Sequence, residues 1–286
     1  MLRLLVAAGG TGGGVYPALA VLGALVASSE SADVLWVGGE GGMEASIVGR
    51  SGIQYQAIPA AGLHGVGPLA LPGNLLRMAR GIRASRRILR DFQPDVLFFT
   101  GGYVGVPMSF AGRRLPQAMY VPDIEPALAL RWISRWADSI VVTTDESRAY
   151  YAGDKAVEVV GYPTRTALIP LPKPEARQAL GLSEDMPTVL VFGGSRGARS
   201  INEALWKCLP VLLEQMQVIH ITGQLDWPRV EAEAAAIKPQ QQARYRPYPY
   251  VHDDMAKIFS AVDLVVSRAG AAVLGEYPLF GLPAIL

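Results

Sequence analysis

A short apolar run, a glycine-rich turn and a helical stretch occur in that order twice in this chain, and the repetition constrains the fold more than any other feature. Leu4-Leu5-Val6-Ala7-Ala8 leads into Gly9-Gly10-Thr11-Gly12-Gly13-Gly14 and the apolar residues 15–26. Far downstream, Thr188-Val189-Leu190-Val191-Phe192 leads into Gly193-Gly194-Ser195-Arg196-Gly197-Ala198 and a helical pattern over 200–209. Each copy reads as a buried parallel strand, a turn with free backbone N–H groups, and a helix whose positive dipole end faces the same space. Neither turn has the strict G-x-G-x-x-G spacing, and each alone is as readily a tight connection as a phosphate cradle. The matched pair points to ligand binding beyond the carboxyl ends of open parallel sheets.

The expected fold is α/β with two Rossmann-like domains. The chain has 286 residues, half of them apolar, enough for two cores. The proline-rich stretch from Tyr162-Pro163 through Pro170, Pro172 and Pro174 places the boundary, giving domains 1–162 and 163–286. A net charge of +1 makes no case for nucleic acid. Cys208, the single cysteine, is expected as a buried small hydrophobe in a helix ending at Pro210. With no intrachain disulfide possible, a reducing cytoplasm is the expected setting. No charged leader precedes the first strand and no apolar run reaches membrane-spanning length, so the protein reads as soluble or at most peripheral. The last residues, 283–286, read as an unfinished apolar strand and hence as a truncated second domain.

Further strands are expected at 34–37, 55–58, 96–99, 118–121, 139–142 and 156–160, and in the second domain at 217–222, 243–245 and 264–266. Residues 60–73 read as a flexible functional loop. The helix over 74–92 has two unlike faces. Leu75, Met78, Ile82, Leu89 and Phe92 recur on one side, and Arg80, Arg83, Arg87 and Arg90 line the other. With Arg77 and Arg86 they make six arginines in fourteen residues. That stripe is either a solvated face or a patch that meets anionic lipid or a phosphate-bearing substrate.

Strand ends carry the polar candidates. Thr100-Gly101-Gly102-Tyr103 is a third glycine turn, and Pro122-Asp123-Ile124-Glu125-Pro126 brings two carboxylates to the next strand end. From Ser267 to Glu276 the strand–turn–helix pattern recurs, with a helix beginning near Ala271 whose orphan N–H groups could hold a diphosphate. Glu276, about a turn and a half inward, could accept from sugar hydroxyls. His64, His220 and His252 lack metal-ligand spacing, and no metal or other cofactor is expected.

The ordered set of these motifs resembles the MurG family of bacterial glycosyltransferases. It comprises Gly9 to Gly13 with Tyr16-Pro17-Ala18, Met43-Glu44, Gly101-Gly102-Tyr103, Gly161 with Pro163 and Arg165, Gly193-Gly194-Ser195 with Gly197-Ala198, Asp253-Asp254-Met255, and Arg268 through Glu276. The resemblance implies the GT-B fold, two Rossmann-like domains with a cleft between them. It implies transfer, with inversion, of N-acetylglucosamine from UDP-N-acetylglucosamine to the undecaprenyl-pyrophosphoryl muramoyl-pentapeptide of peptidoglycan synthesis. Arg165, Ser195, the backbone at His252, and Ala271, Ala272, Val273, Leu274, Gly275 and Glu276 would then hold the UDP-sugar, with Glu276 on the ribose. Thr11, Gly12 and Gly13 would lie by the donor sugar and acceptor pyrophosphate, with Tyr103 close by. The basic helix would lie near a surface that associates with the inner face of the cell membrane.

This chain departs from the family pattern on the acceptor side. Gly14 stands where the family has histidine, and Tyr120-Val121-Pro122-Asp123 where it has His-Glu-Gln-Asn; Tyr162 replaces the asparagine of a Gly-Asn-Pro motif. Inversion needs a base for the acceptor hydroxyl, and Asp123 or Glu125 is expected to serve. A relative with another acceptor and a non-catalytic nucleotide-sugar binder are the alternative readings.

Overall fold

Along β1 (Leu2–Ala8) alternate residues feed two different cores: Leu5 and Ala7 pack on one side of a sheet, Leu4, Val6 and Ala8 on the other. A strand apolar at every position is what a parallel sheet covered on both faces requires. The computed structural model describes residues 1–10, 12–28, 31–62, 67, 70–151, 155–164, 168–194, 197–235, 237–251, 254–270 and 272–286. It divides into two units, Met1–Arg165 and Thr166–Leu286, a boundary three residues beyond the one expected after Tyr162.

In the first unit the elements after β1 are α1 (Gly12–Ala27), β2 (Ala32–Gly39), α2 (Glu44–Arg50), β3 (Gln54–Ile58), α3 (Leu71–Phe92), β4 (Val96–Gly101), α4 (Gly105–Ala111), β5 (Gln117–Val121), α5 (Leu128–Ile133), β6 (Ser139–Val142) and β7 (Ala156–Val159). Among the described residues the seven strands form one parallel sheet in the order β3-β2-β1-β4-β5-β6-β7. Val15, Ala18 and Leu22 of α1 cover one face; Ile88 and Phe92 of α3, Met108 of α4 and Ile133 of α5 cover the other.

The second unit holds α6 (Lys173–Ala179), β8 (Thr188–Phe192), α7 (Arg199–Gln215), β9 (Gln217–Ile221), α8 (Trp227–Ala235), α9 (Pro239–Gln242), β10 (Tyr245–Tyr248), α10 (Met255–Ala261), β11 (Leu264–Ser267), α11 (Val273–Leu279) and β12 (Ala284–Ile285). Its five described strands are parallel in the order β10-β9-β8-β11-β12. Leu205, Leu209 and Leu213 of α7 pack on one face, and Ile258, Phe259 and Tyr277 from α10 and α11 on the other. The fold is thus a pair of doubly wound α/β units.

Several local expectations are corrected. The basic helix starts at Leu71, with Pro72 in its first turn, where no N–H is needed. Its buried stripe is Met78, Gly81, Ser85, Ile88 and Phe92, while Leu75 is 52% exposed. Helix α7 continues through Pro210 to Gln215 because Leu209 and Leu213 are both held in the core, and the Arg244 Nη1 group caps its end by donating to the Leu213 carbonyl at 2.8 Å. Cys208 is exposed, one position off the buried stripe Asn202, Leu205, Leu209 and Leu213. The strand expected at 243–245 begins at Tyr245, and the last strand is shorter than residues 283–286.

Candidate functional site: two glycine-lined strand ends

Strand order reverses between β1 and β4 in one sheet and between β8 and β11 in the other, and such a reversal opens a crevice beyond the carboxyl ends of the strands. Each repeated glycine turn follows the strand at its own reversal.

In the first unit two turns interlock there. The Gly9 amide donates to the Gly101 carbonyl at 3.3 Å, and a Cβ at Gly102, whose φ is +88°, would overlap the Gly9 backbone. A Cβ at Gly14 would point at the same place, 3.4 Å from the Thr100 carbonyl oxygen and 3.8 Å from Gly101 Cα. Position 14 is buried against the backbone of both turns. Tyr103, about half exposed, lays its ring against Gly62, whose carbonyl accepts from Asn74 Nδ2 at 2.7 Å.

The sequence motif Met43-Glu44 turns out to have a structural job. Glu44 opens α2 and is 1% exposed. Its Oε1 accepts from the Gly39 amide at 2.7 Å, and its Oε2 faces the Gly10 amide at 3.4 Å. Beside it, burial and the Glu44 charge push the Tyr55 hydroxyl up to about 12.

At the end of β5 the expected polar pair separates. Asp123 is exposed and has no hydrogen-bond or ion-pair partner among the described residues; Glu125 is held by Arg131 at 2.6 Å. Tyr120 is buried, its hydroxyl 2.8 Å from Thr143 Oγ1 and 3.1 Å from the Gly161 carbonyl. Burial, opposed by the Thr143 hydrogen bond, pushes that hydroxyl up to about 12, so it is a neutral structural group at ordinary pH.

In the second unit the turn after β8 meets a cation. A Cβ at Gly194, where φ is +86°, would lie 3.4 Å from the Arg268 guanidinium. Arg268 is exposed and has no ion-pair partner among the described residues. The other side of the turn rests on the residues just past β9: a Cβ at Gly197 would overlap the Thr222 carbonyl. That carbonyl accepts from Asn202 Nδ2 at 2.9 Å, and the same amide nitrogen donates to Asp226 at 2.8 Å. Asn202 Oδ1 is therefore the acceptor for His220 Nε2 at 2.9 Å, which leaves His220 Nδ1 to accept from Tyr245 at 2.8 Å. Burial pulls the His220 imidazole down to about 4, against the pull of Asp226, and keeps it neutral. Sequence reasoning gave His220 no role; a histidine and an asparagine on the apolar faces of β9 and α7 are the signal that finds this network.

Thr11, Arg165, Ser195, His252 and Ala271 lie outside the described residues, as does the side-chain environment of Gly12. Gly13 is in the first turn of α1, and Ala272 precedes α11. On α11, Val273 is buried and Leu274 is 55% exposed. Glu276, expected to face a ribose, is only 9% exposed and adds to the upward push on the Tyr277 hydroxyl.

On α3, Arg80 and Arg83 are exposed without ion pairs among the described residues, while Arg87 and Arg90 share Asp91 at 3.7 and 4.0 Å. Leu71, Leu75 and Leu76 are exposed at the start of the helix. Arg86, Arg90, Arg113 and Arg114 ring a depression of about 400 Å³ floored by Leu89 and Leu115. No helix among the described residues is long and apolar enough to cross a membrane.

Comparison with known proteins identifies the fold and the family. Residues 4–142 match the glycosyltransferase family 28 N-terminal domain and residues 188–286 its C-terminal domain. The chain is 37% identical to the UDP-N-acetylglucosamine–N-acetylmuramyl-(pentapeptide) pyrophosphoryl-undecaprenol N-acetylglucosamine transferase of Roseiflexus sp. (strain RS-1), covering all of this chain and 77% of that protein. It is 37% identical to the transferase of the same name from Listeria monocytogenes, covering all of this chain and 78% of that one. The crystal structure of Acinetobacter baumannii MurG superposes with a TM-score of 0.73 at 26% identity, over 99% of this chain and 78% of that one. With both domain models matched in order and this identity over its whole length, the chain belongs to the MurG family of glycosyltransferase family 28.

Proposed function

We propose that this protein is an inverting hexosyltransferase that moves N-acetylglucosamine from UDP-N-acetylglucosamine to the muramoyl-pentapeptide pyrophosphoryl-undecaprenol intermediate of peptidoglycan synthesis. The observation that carries the reading is the similarity, over the entire chain, to transferases bearing that name.

The second unit takes the donor. Backbone amides after β8 and the cation of Arg268 face the diphosphate, and Arg165, Ser195, the His252 backbone and residues 271–276 complete the UDP-sugar site. The first unit takes the acceptor, with Thr11, Gly12, Gly13 and Tyr103 at its crevice. In the transfer the acceptor hydroxyl oxygen bonds to the anomeric carbon from the face opposite UDP, the glycosidic C–O bond to UDP breaks, and UDP leaves with the electron pair. Asp123 takes the hydroxyl proton. Arginine and oriented N–H groups meet the charge that develops on UDP, and no metal enters the mechanism. The basic, leucine-tipped face of α3 rests on anionic lipid, placing the enzyme on the cytoplasmic face of the membrane.

Incubating the full-length protein with labelled UDP-N-acetylglucosamine and the lipid-linked acceptor tests this. Label in the lipid product with inverted anomeric configuration, undiminished by EDTA, is expected. Label appearing only as free sugar, or none, contradicts the reading. Gly14 and the burial of Tyr120 favour a second reading, a changed acceptor. Transfer to a different lipid-linked sugar in preference to the muramoyl-pentapeptide would establish it.

A further inference from the structure

Glu44 is a buried carboxylate that the transfer chemistry above does not use. No cation pairs with it among the described residues; backbone amides meet its oxygens and the Tyr55 hydroxyl feels its charge. A Cβ at Gly9 or at Gly42 would overlap its carboxyl group, and the Gly39 and Gly10 amides point at its two oxygens, at 2.7 and 3.4 Å. Four glycines from the ends of β1 and β2 thus close around one internal anion. Burying a charge without a counter-charge is costly unless it is hydrogen-bonded, and here backbone amides supply the bonds; an apolar residue of similar size would leave those donors without this acceptor. The carboxylate therefore ties the turn after β1 to the end of β2 from within. Gly10 carries φ +94° and leads directly into Thr11-Gly12-Gly13, the residues proposed for the acceptor.

We infer that Glu44 is a positioning residue for the acceptor side of the reaction: its carboxylate acts as a built-in anion that fixes the Gly9-Gly10 turn from within. The Gly10 amide is aimed inward at Glu44 and is therefore not offered to the substrate. The inference rests on the functional reading above in assigning this turn to the acceptor. A glutamine at position 44 keeps the shape but offers only one carbonyl oxygen, so one of the two amides loses its acceptor.

Kinetics of the full-length enzyme with E44Q, together with hydrogen exchange at the Gly10 amide, test it. The expected result is an acceptor KM raised about tenfold, the effect of losing one charge-assisted hydrogen bond, with donor KM and UDP affinity unchanged and Gly10 exchange accelerated. E44D, which keeps the charge but shortens the reach, is expected to fall between E44Q and wild type. An unchanged acceptor KM, or donor and acceptor KM rising together, would overturn the inference. Should E44Q not fold, E44D supplies the same kinetic comparison, and a wild-type Gly10 amide exchanging like an unprotected one overturns the inference by itself. A wild-type enzyme that transfers no sugar would defeat the functional reading instead, leaving Gly10 exchange as the independent test of Glu44.

Discussion

The Glu125 carboxylate lies 2.6 Å from the Arg131 guanidinium, whereas Asp123, two residues earlier at the same strand end, is exposed and unpartnered among the described residues. A carboxylate committed to an ion pair is poorly placed to accept an acceptor proton. D123N is therefore expected to lower kcat by roughly 10²-fold or more, the usual contribution of a general base. E125Q should stay within about threefold of wild type, since an exposed pair of this kind contributes little. Steady-state kinetics decide; the opposite ranking would make Glu125 the base.

Arg268 against Gly194 makes the turn after β8 electropositive. R268M should weaken UDP binding about tenfold to a hundredfold, the range for a charge-assisted hydrogen bond to phosphate, with R268K in between. Uridine, which lacks the diphosphate, should bind both variants and wild type alike. Isothermal titration reads all three, and an unchanged UDP affinity in R268M would remove Arg268 from the donor site.

The neutral imidazole of His220 carries a pH signature. Its folded pKa, about 4, lies below the ordinary 6.5, so the unfolded chain binds the proton first as pH falls. Stability is therefore full above about pH 6.5 and is lost on acidification toward pH 4, by roughly 3 kcal/mol from this group. Denaturant unfolding at pH 7 and pH 4.5 should show the loss, and H220Q should show a smaller one. Equal slopes in the two proteins would mean that another group is responsible.

Reversing the unpaired charges Arg80 and Arg83 to glutamate should weaken co-sedimentation with phosphatidylglycerol vesicles at least tenfold, given about 1 kcal/mol per basic residue at such surfaces. Raising salt should weaken the wild type in the same way, and neutral phosphatidylcholine vesicles should not discriminate. Binding indifferent to both changes would leave the stripe as a solvated face.

What the sequence made legible is what continuous apolar runs and glycine turns encode. Residues 4–8 and 188–192 lie within β1 and β8, and both glycine turns lie where the strand order reverses. Helix faces were harder. Leu75 matches the period of the core stripe but lies in the first turns of α3, where it is 52% exposed, and Gly81 and Ser85 fill the close-packed stripe without any hydrophobic signal. Pro210 looked like a helix end because local rules weigh a missing N–H, while tertiary packing of Leu213 overrides it. The roles of Glu44, Asn202 and His220 were illegible for a related reason: each is set by partners elsewhere in the fold, between 5 and 34 residues away in sequence.

A crystal of the full-length protein soaked in UDP tests the central claim most directly, because the two glycine turns are chemically alike in sequence and opposite in charge in the fold. The diphosphate should lie at the carboxyl ends of β8 and β11, against the Gly193-Gly194 backbone and within hydrogen-bonding distance of Arg268. Density for UDP at the Gly9-Gly10 turn, where the Glu44 carboxylate already meets the amides, would contradict the account, as would a crystal with no UDP at either strand end.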